Sequence, residues 1–288
     1  MPNKNQCDST KSMADIFTDA AIKKEKLEQE FATLPDTIIY GVVGANGPSA
    51  GNSPPHQEWS LIFSLIAWKE AGGKINPSRL IVSKQLANGE LQAIQDSVKK
   101  ESLVQLKVKL SRVSPFGDAR AQLISILNPP DDTELKAVLE QYKSPVEITH
   151  PEFGLLTFNR SLNWFEGSIN WMGQPVRVSI SVDEENASIA SSIKTLEALY
   201  RHTSDWSKKI TDYAVAELLD LKNESWRTED QEEVTASAFA QAMQLESITV
   251  DSDGEFEFWH HDGDLFWGHS ILITGSLTEG PLDADIPG

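Results

Sequence analysis

The side chains best suited to chemistry are crowded into one short segment, between Phe256 and Ser270. Three histidines and two aspartates occur there within ten residues: His260, His261, Asp262, Asp264 and His269. Imidazole and carboxylate groups are ligands of zinc, iron and manganese. One hypothesis is therefore a metal-dependent hydrolase built on residues 260–269, with His261, Asp264 and His269 as the candidate metal ligands.

The spacing within this segment favours a turn over a metal centre. His260 and His261 are adjacent on a predicted strand, so their side chains point to opposite faces. Asp262 and Gly263 are the pair that a tight hairpin turn uses, because glycine accepts a positive φ and aspartate caps its own turn. We therefore interpret the segment as a tight hairpin turn, and assign no metal and no cofactor.

An acid and base pair is the second catalytic hypothesis. His269 falls in a predicted strand from Leu265 to Gly275, and Glu166 falls in the strand pattern Trp164 to Trp171. A carboxylate and an imidazole act as acid and base when they meet, and Asp264 is a third candidate. A hydrogen-bonded core histidine is the simpler interpretation of His269. We find no complete catalytic motif, which favours a protein that is not an enzyme.

The elements that would carry these residues predict an α+β domain over residues 148–288. Strand patterns occupy residues 153–182, apolar stripes at helical spacing occupy about 189–243, and strand patterns return over 245–275. Alternation of apolar and polar residues is typical of a sheet with one buried face. We expect an antiparallel sheet packed against helices.

The first half of the chain predicts a helical leader over residues 1–37 and a β-rich barrel over 38–130. Five strand-like runs, with a helix before the fourth, follow one another: Ile38–Val43, Glu58–Trp68, Leu80–Val82, Leu103–Val113 and Arg120–Leu127. This pattern is typical of an oligonucleotide/oligosaccharide-binding (OB) type of barrel.

Two features of this half suggest ligands. The glycine-rich segment from Gly41 to Gly51 follows a strand, but it lacks the spacing and the lysine of phosphate loops, so a flexible loop is favoured.

Lys107 and Lys109 lie on one face of a predicted strand, and Trp59 belongs to another strand of the same predicted barrel. Single-stranded nucleic-acid binding by the barrel is thus an alternative function. Lysines on a wet strand face also prevent edge pairing, and we do not expect nucleic acid.

Charge is divided unevenly along the chain. The net charge is −18, but residues 38–130 carry +4 and residues 131–288 carry −20. The change coincides with the breaker run from Asn128 to Asp132. We therefore predict a bridging helix and linker over residues 131–147, followed by the acidic domain. Most of its acidic residues are expected in water, although a surface that docks a basic partner is the alternative.

The sequence predicts a cytoplasmic protein that does not enter a membrane. No apolar stretch approaches the roughly 20 residues needed to span a bilayer, and no signal peptide is expected after Lys4. Cys7 is the single cysteine, so an intramolecular disulfide and a thiolate zinc cluster are both impossible within one chain.

Two signatures in the second half resemble a known family. They are Trp164-Phe165-Glu166-Gly167 and Asp262-Gly263-Asp264-Leu265-Phe266-Trp267-Gly268-His269-Ser270-Ile271, supported by segments near Trp206 and Leu245. Together they resemble a bacterial domain of unknown function, the family numbered 2262, over about residues 148–288. Its members carry an N-terminal barrel-like domain that residues 38–127 resemble. The resemblance implies a bacterial cytoplasmic protein and supplies no catalytic residues.

These observations favour a non-enzymatic module that binds another protein through the acidic domain. Small domains with a similar ending occur among proteins regarded as toxin immunity factors, so the partner is expected to be a basic protein. The candidate binding residues come from the two signatures: Trp164, Glu166, Trp171, Asp262, Asp264, Trp267 and His269.

Overall fold

The computed structural model of the chain describes residues 13–52, 59–86, 90–129, 131–183, 187–228 and 230–288. The chain divides into two compact units, one ending at Ser144 and the other beginning at Pro145. Cys7 lies outside the described residues. Among the described residues, no helix is both long and apolar enough to cross a bilayer.

The described residues of the N-terminal unit form six strands and three helices. They are α1 (Met13–Thr33), β1 (Asp36–Val43), β2 (Ser49–Gly51), β3 (Trp59–Glu70), β4 (Leu80–Leu86), α2 (Glu90–Ser97), β5 (Leu103–Ser111), β6 (Ala119–Leu127) and α3 (Thr133–Lys143). Five strands close into a barrel in the order β1-β5-β6-β4-β3, because β1 pairs with both β5 and β3. Only the β4–β6 pair is parallel among these strands, and α2 connects β4 to β5. This is the topology of the OB barrel, and the predicted fold is confirmed.

Alternation along β5 shows why these residues form a barrel. Val104, Leu106 and Val108 are buried in the barrel core, whereas Lys107 and Lys109, which alternate with them, remain partly exposed.

The glycine-rich segment from Gly41 to Gly51 differs from the flexible loop that we predicted. It continues into β2, which pairs with β3, so no helix begins at its glycines.

Helix α3 packs on the barrel of the N-terminal unit. Leu135 and Leu139 are buried against Val42. Asp132 caps the helix by accepting a hydrogen bond from the backbone N–H of Leu135 at 3.0 Å, as an N-cap side chain does. Lys69 reaches Asp132 at 2.7 Å. Residues 131–147, which we expected to bridge two domains, thus contribute a helix to the first unit.

In the part of the C-terminal unit that the structure describes, there are one eight-stranded sheet and three helices. They are β7 (Glu147–His150), β8 (Gly154–Asn159), β9 (Trp164–Trp171), β10 (Gln174–Ser181), α4 (Ala190–Tyr200), α5 (Thr203–Ser225), α6 (Ala236–Ala242), β11 (Gln244–Val250), β12 (Glu255–His261), β13 (Ser270–Ser276) and β14 (Gly280–Asp285). The strands lie in sequence order, and every neighbouring pair is antiparallel except β10–β11. The helices form the crossover that a parallel pair requires, and the α+β prediction is confirmed.

The two faces of this sheet differ in chemistry. On one face, Val178, Ile248 and Phe258 form a continuous core with buried residues of the three helices, including Leu196 and Ile210. Side chains alternate along each strand, so the residues between them lie on the opposite side. We call that side the open face.

Candidate functional site

A buried carboxylate organises the loop between β12 and β13. Asp262 has no solvent exposure. Its Oδ2 atom accepts hydrogen bonds from the backbone N–H groups of Phe266 at 2.6 Å and Gly268 at 3.1 Å. Its Oδ1 atom accepts a third, from the N–H of Asp264 at 3.2 Å. One side chain therefore fixes the path of residues 263–268, a stronger role than the hairpin turn that the sequence predicted.

This loop holds Trp267 outward. The indole is 62% exposed, although it contacts the ring of Trp226 with centroids 4.9 Å apart. The backbone of Trp267 has a φ of 59° and that of Asp264 a φ of 66°. Non-glycine residues in the left-handed region persist where the surrounding structure imposes them, and they cluster at functional sites. The loop is thus a rigid support that displays a large aromatic surface.

A buried cation lies near the buried carboxylate. Lys222 in α5 is 4% exposed, and its Nζ atom donates to the carbonyl oxygen of Trp226 at 2.5 Å. Burial lowers the pKa of Lys222, while the nearby charge of Asp262 acts in the opposite direction. Buried charges are stable only when they are paired or hydrogen-bonded. The hydrogen bond to Trp226 thus satisfies the Lys222 ammonium, and the carboxylate of Asp262 adds a favourable charge nearby.

The two adjacent histidines point apart, as their spacing predicted. His260 lies on the core side of β12, and burial lowers its pKa to about 4. His261 is exposed on the other side, and its Nδ1 atom accepts a hydrogen bond from the N–H of Gly263 at 3.0 Å. Neither ring faces the other, so the pair cannot act on one substrate.

His269 does not lie inside a strand, as we predicted, but in the loop immediately before β13. The prediction failed because the apolar residues from Leu265 to Trp267 belong to the loop that Asp262 organises and do not form a strand. The ring of His269 packs edge-on against Trp226, with centroids 5.2 Å apart. Its buried Nδ1 atom has no hydrogen-bond partner among the described residues. The hydrogen bond that we expected for this histidine is therefore not seen at that atom.

Glu166 and His269 do not form an acid and base pair. Strand register places Glu166 opposite Ser179, and the same row continues through Thr249 and Glu257 to Thr274 of β13. Four strand spacings, about 19 Å, separate Glu166 from Thr274. His269 precedes Thr274 in the chain and lies outside this row. Asp264 is exposed in its loop. Glu166 is therefore far from the loop that carries Asp264 and His269.

The metal hypothesis lacks a ligand set. Among the described residues, no group of three or more histidine, cysteine, aspartate or glutamate side chains is placed to hold an ion. His261 and His269 are engaged in the separate contacts described above. The His/Asp segment owes its composition to loop architecture.

A groove crosses the open face of the sheet from β9 to β12. Its volume is about 440 Å³, and small polar residues of β10 and β11, including Ser179 and Thr249, lie along it. Trp164 and Glu166 line it on β9. Trp171, which the sequence also suggested for binding, is instead a core residue, 3% exposed, whose Nε1 atom donates to Ser207 at 2.8 Å.

Two tryptophan–glutamate pairs line this groove. The Nε1 atom of Trp164 donates to Glu166 at 2.7 Å, and that of Trp259 donates to Glu257 at 2.8 Å. Sequence reasoning missed Glu257 and Trp259. The signal was present, since both pairs are a tryptophan and a glutamate two residues apart on one strand face. Arg177 adds a positive charge to the lining.

The basic strand face of the barrel is already paired. Lys107 and Lys109 both contact Asp36, at 2.7 and 2.8 Å. Lys109 also donates to the carbonyl oxygen of Leu34 at 2.6 Å. The single carboxylate of Asp36 therefore offsets one of the two positive charges of this strand face.

The chain is thus a two-unit protein with an OB-type barrel followed by an α+β domain that displays an aromatic loop and a groove. Residues 150–286 match the family model described as an uncharacterized protein conserved in bacteria, DUF2262, and residues 23–142 match a domain of unknown function, DUF7021. The C-terminal unit thus matches the DUF2262 family model, and the resemblance seen in the sequence is confirmed.

Comparison with solved structures finds a small single-stranded DNA-binding protein from Streptomyces coelicolor. The identity is 16%, the TM-score is 0.25, and the match covers 35% of this chain and 97% of the other. The barrel assignment above depends on strand topology and not on this likeness. No curated protein matches the chain.

Proposed function

We propose that the protein is a non-enzymatic binding module whose acidic C-terminal unit engages another, basic protein. The observation that carries the proposal is the outward display of Trp267 on a loop that Asp262 holds in place. Tryptophan is enriched at the energetic centres of protein interfaces. A contact residue on a pre-ordered loop loses little conformational freedom on binding.

The charge of the unit indicates the character of the partner. Residues 145–288 contain 26 acidic and 8 basic residues. Complementary charge accelerates association and disfavours wrong partners. A basic protein that acts on nucleic acid, such as a toxin, has the required chemistry, and an immunity-like role in the cytoplasm would follow. Glu166 lies far from the loop that carries Asp264 and His269, so these three residues give no support to a catalytic function.

The test is a binding measurement on a purified pair. Proteins captured by the full chain from its host are identified, and each basic candidate is purified and titrated against the full chain. Replacing Trp267 with Ala is expected to weaken the dissociation constant at least about 30-fold, the loss typical of an interface hot spot. The matched control is Trp59→Ala, since Trp59 is an exposed tryptophan of the other unit.

A second variant tests the charge argument. Reversing Asp230, Glu232 and Glu233, which are all exposed, is expected to slow association and to reduce the salt dependence of binding. Undiminished binding by the Trp267→Ala protein, together with a salt-independent dissociation constant, would refute the proposal.

A further inference from the structure

We infer that the groove on the open face binds an extended peptide segment carrying two basic side chains four residues apart. The inference rests on the proposed function only in taking the ligand to be a basic protein. The groove itself is a different surface from the Trp267 loop, because it lies across strands β9 to β12.

Strand register fixes the distance between the two acidic ends of the groove. Glu166 pairs with Ser179, Ser179 with Thr249, and Thr249 with Glu257. The four residues therefore form one row perpendicular to the strands. Three strand spacings separate the glutamates, which amounts to about 14 Å. Two negative ends flank a floor of hydroxyl side chains.

The tryptophans lie on opposite sides of this row. Because β9 and β12 run in the same direction, Trp164 precedes the row by two residues and Trp259 follows it by two. Each indole leans toward the row, since its Nε1 atom donates to the glutamate of its own strand. Each carboxylate therefore has an indole ring beside it.

A carboxylate next to an indole is a fitting environment for a lysine or arginine side chain. The cation gains attraction from the carboxylate, and the indole N–H holds that carboxylate in position. Glu166 also accepts a hydrogen bond from Asn159 at 2.8 Å, through the same Oε1 atom that Trp164 uses. The glutamate is thus held in position before a ligand arrives.

The spacing of the two ends selects the ligand. In an extended chain, residues four apart are separated by about 13 Å and point to the same side, which matches the 14 Å between the glutamates. The residue midway between them would face Ser179 and Thr249, so a small side chain is expected there. Arg177 at the edge of the groove can donate to a carbonyl or carboxylate of the segment.

The experiment uses the full chain and fluorescent peptides of one composition. One peptide carries two lysines four residues apart around a central glycine, and a scrambled peptide carries them next to each other. Tighter binding of the spaced peptide is expected, with about a tenfold loss in the Glu166→Gln or Glu257→Gln protein and a several-fold loss in Trp259→Leu. Circular dichroism verifies that each variant is folded.

Two control variants match these changes in chemistry. Glu279→Gln removes a charge in the exposed turn between β13 and β14, and Trp59→Leu removes an exposed indole of the other unit. Both are expected to bind the spaced peptide as the unaltered protein does. Equal affinity for the two peptides, or an unchanged affinity in the double glutamate variant, would overturn the inference. Tighter binding of an oligonucleotide than of the spaced peptide would overturn it as well.

The outcome separates this inference from the proposed function. The Trp267→Ala protein should bind the spaced peptide normally, because its change lies outside the groove. Loss of partner binding in that variant with no peptide binding in any protein would leave the proposed function standing and remove the groove. Peptide binding that depends on Glu166 and Glu257, without any basic partner, would support the groove and refute the proposed function.

Discussion

The two units of the protein handle charge in opposite ways. The N-terminal unit contains 17 acidic and 17 basic residues, whereas the C-terminal unit contains 26 and 8. In the first unit, cations meet anions of the same unit, as Arg112 meets Glu70 and Arg120 meets Asp118. The second unit has too few cations to neutralise its own surface. Its excess charge is the reason why we propose that this unit carries the binding function.

Both units bury charge, as Lys69 and Asp132 do in the first unit, but two of their carboxylates differ sharply in exposure. In the C-terminal unit, Asp262 is fully enclosed and accepts three backbone hydrogen bonds of a loop. In the N-terminal unit, the ion pairs of Asp36 with Lys107 and Lys109 are partly exposed. Exposed ion pairs contribute little to stability, whereas leaving buried hydrogen-bonding groups without a partner is costly. The comparison therefore predicts effects of very different size.

The largest effect is expected at Asp262. Replacing Asp262 with Asn removes a buried negative charge and turns an amide donor toward backbone N–H groups that the carboxylate accepts from, so the free energy of unfolding should fall by about 3 kcal/mol. Denaturant unfolding of the full chain measures it. The matched control is Asp264→Asn, an exposed position in the same loop where asparagine also tolerates the left-handed backbone. Equal losses in the two variants would show that the buried carboxylate has no special role.

An intermediate effect is expected from His260 on acidification. Its pKa is about 4 in the folded protein against 6.5 ordinarily, so the unfolded chain binds the proton more readily. The stabilisation is present above pH 6.5 and is lost as the pH falls toward 4, by about 2 kcal/mol at pH 5. The slope of unfolding free energy against pH measures it. A His260→Phe protein should lack this component of the slope, and an unchanged slope would contradict it.

The smallest effect is expected at Asp36 in the barrel. Hydrogen bonds from Lys107 and Lys109 lower the pKa of Asp36 to about 2. Its contribution is therefore present above the usual value of 3.8 and is lost as the pH falls through about 2. An Asp36→Asn protein should unfold at a slightly lower temperature at neutral pH, and the difference should vanish near pH 2. A loss as large as that of Asp262→Asn would break the comparison between the units.

Much of the architecture followed from local sequence patterns. The alternation from Val104 to Leu110 and the breaker run before Asp132 identified a barrel strand and the start of α3, because strand periodicity and capping are local properties. The barrel, the α+β class and the family resemblance were likewise accessible from sequence. The start of α6 follows the same rule, since Thr235 accepts the backbone N–H of Ala238 at 3.2 Å as an N-cap residue.

The candidate site was less accessible, since it depends on contacts between distant residues. The distance from Glu166 to His269 is set by the order of strands in the sheet, which periodicity does not reveal. Residues 265–269 were predicted as a strand because three of them are apolar, and the competing effect was the side chain of Asp262. The groove was missed because its two halves, at Trp164 and Trp259, are joined only by the pairing of β10 with β11.

That parallel pairing has a consequence for how the C-terminal unit folds. Strands β7 to β10 form consecutive hairpins, as do β11 to β14, so each set can assemble from neighbours in the chain. Joining them brings Arg177 beside Ser247, across the whole helical segment, and such long-range closure is entropically costly and slow. The groove spans this junction. It therefore forms only once the two half-sheets of a newly made chain have met.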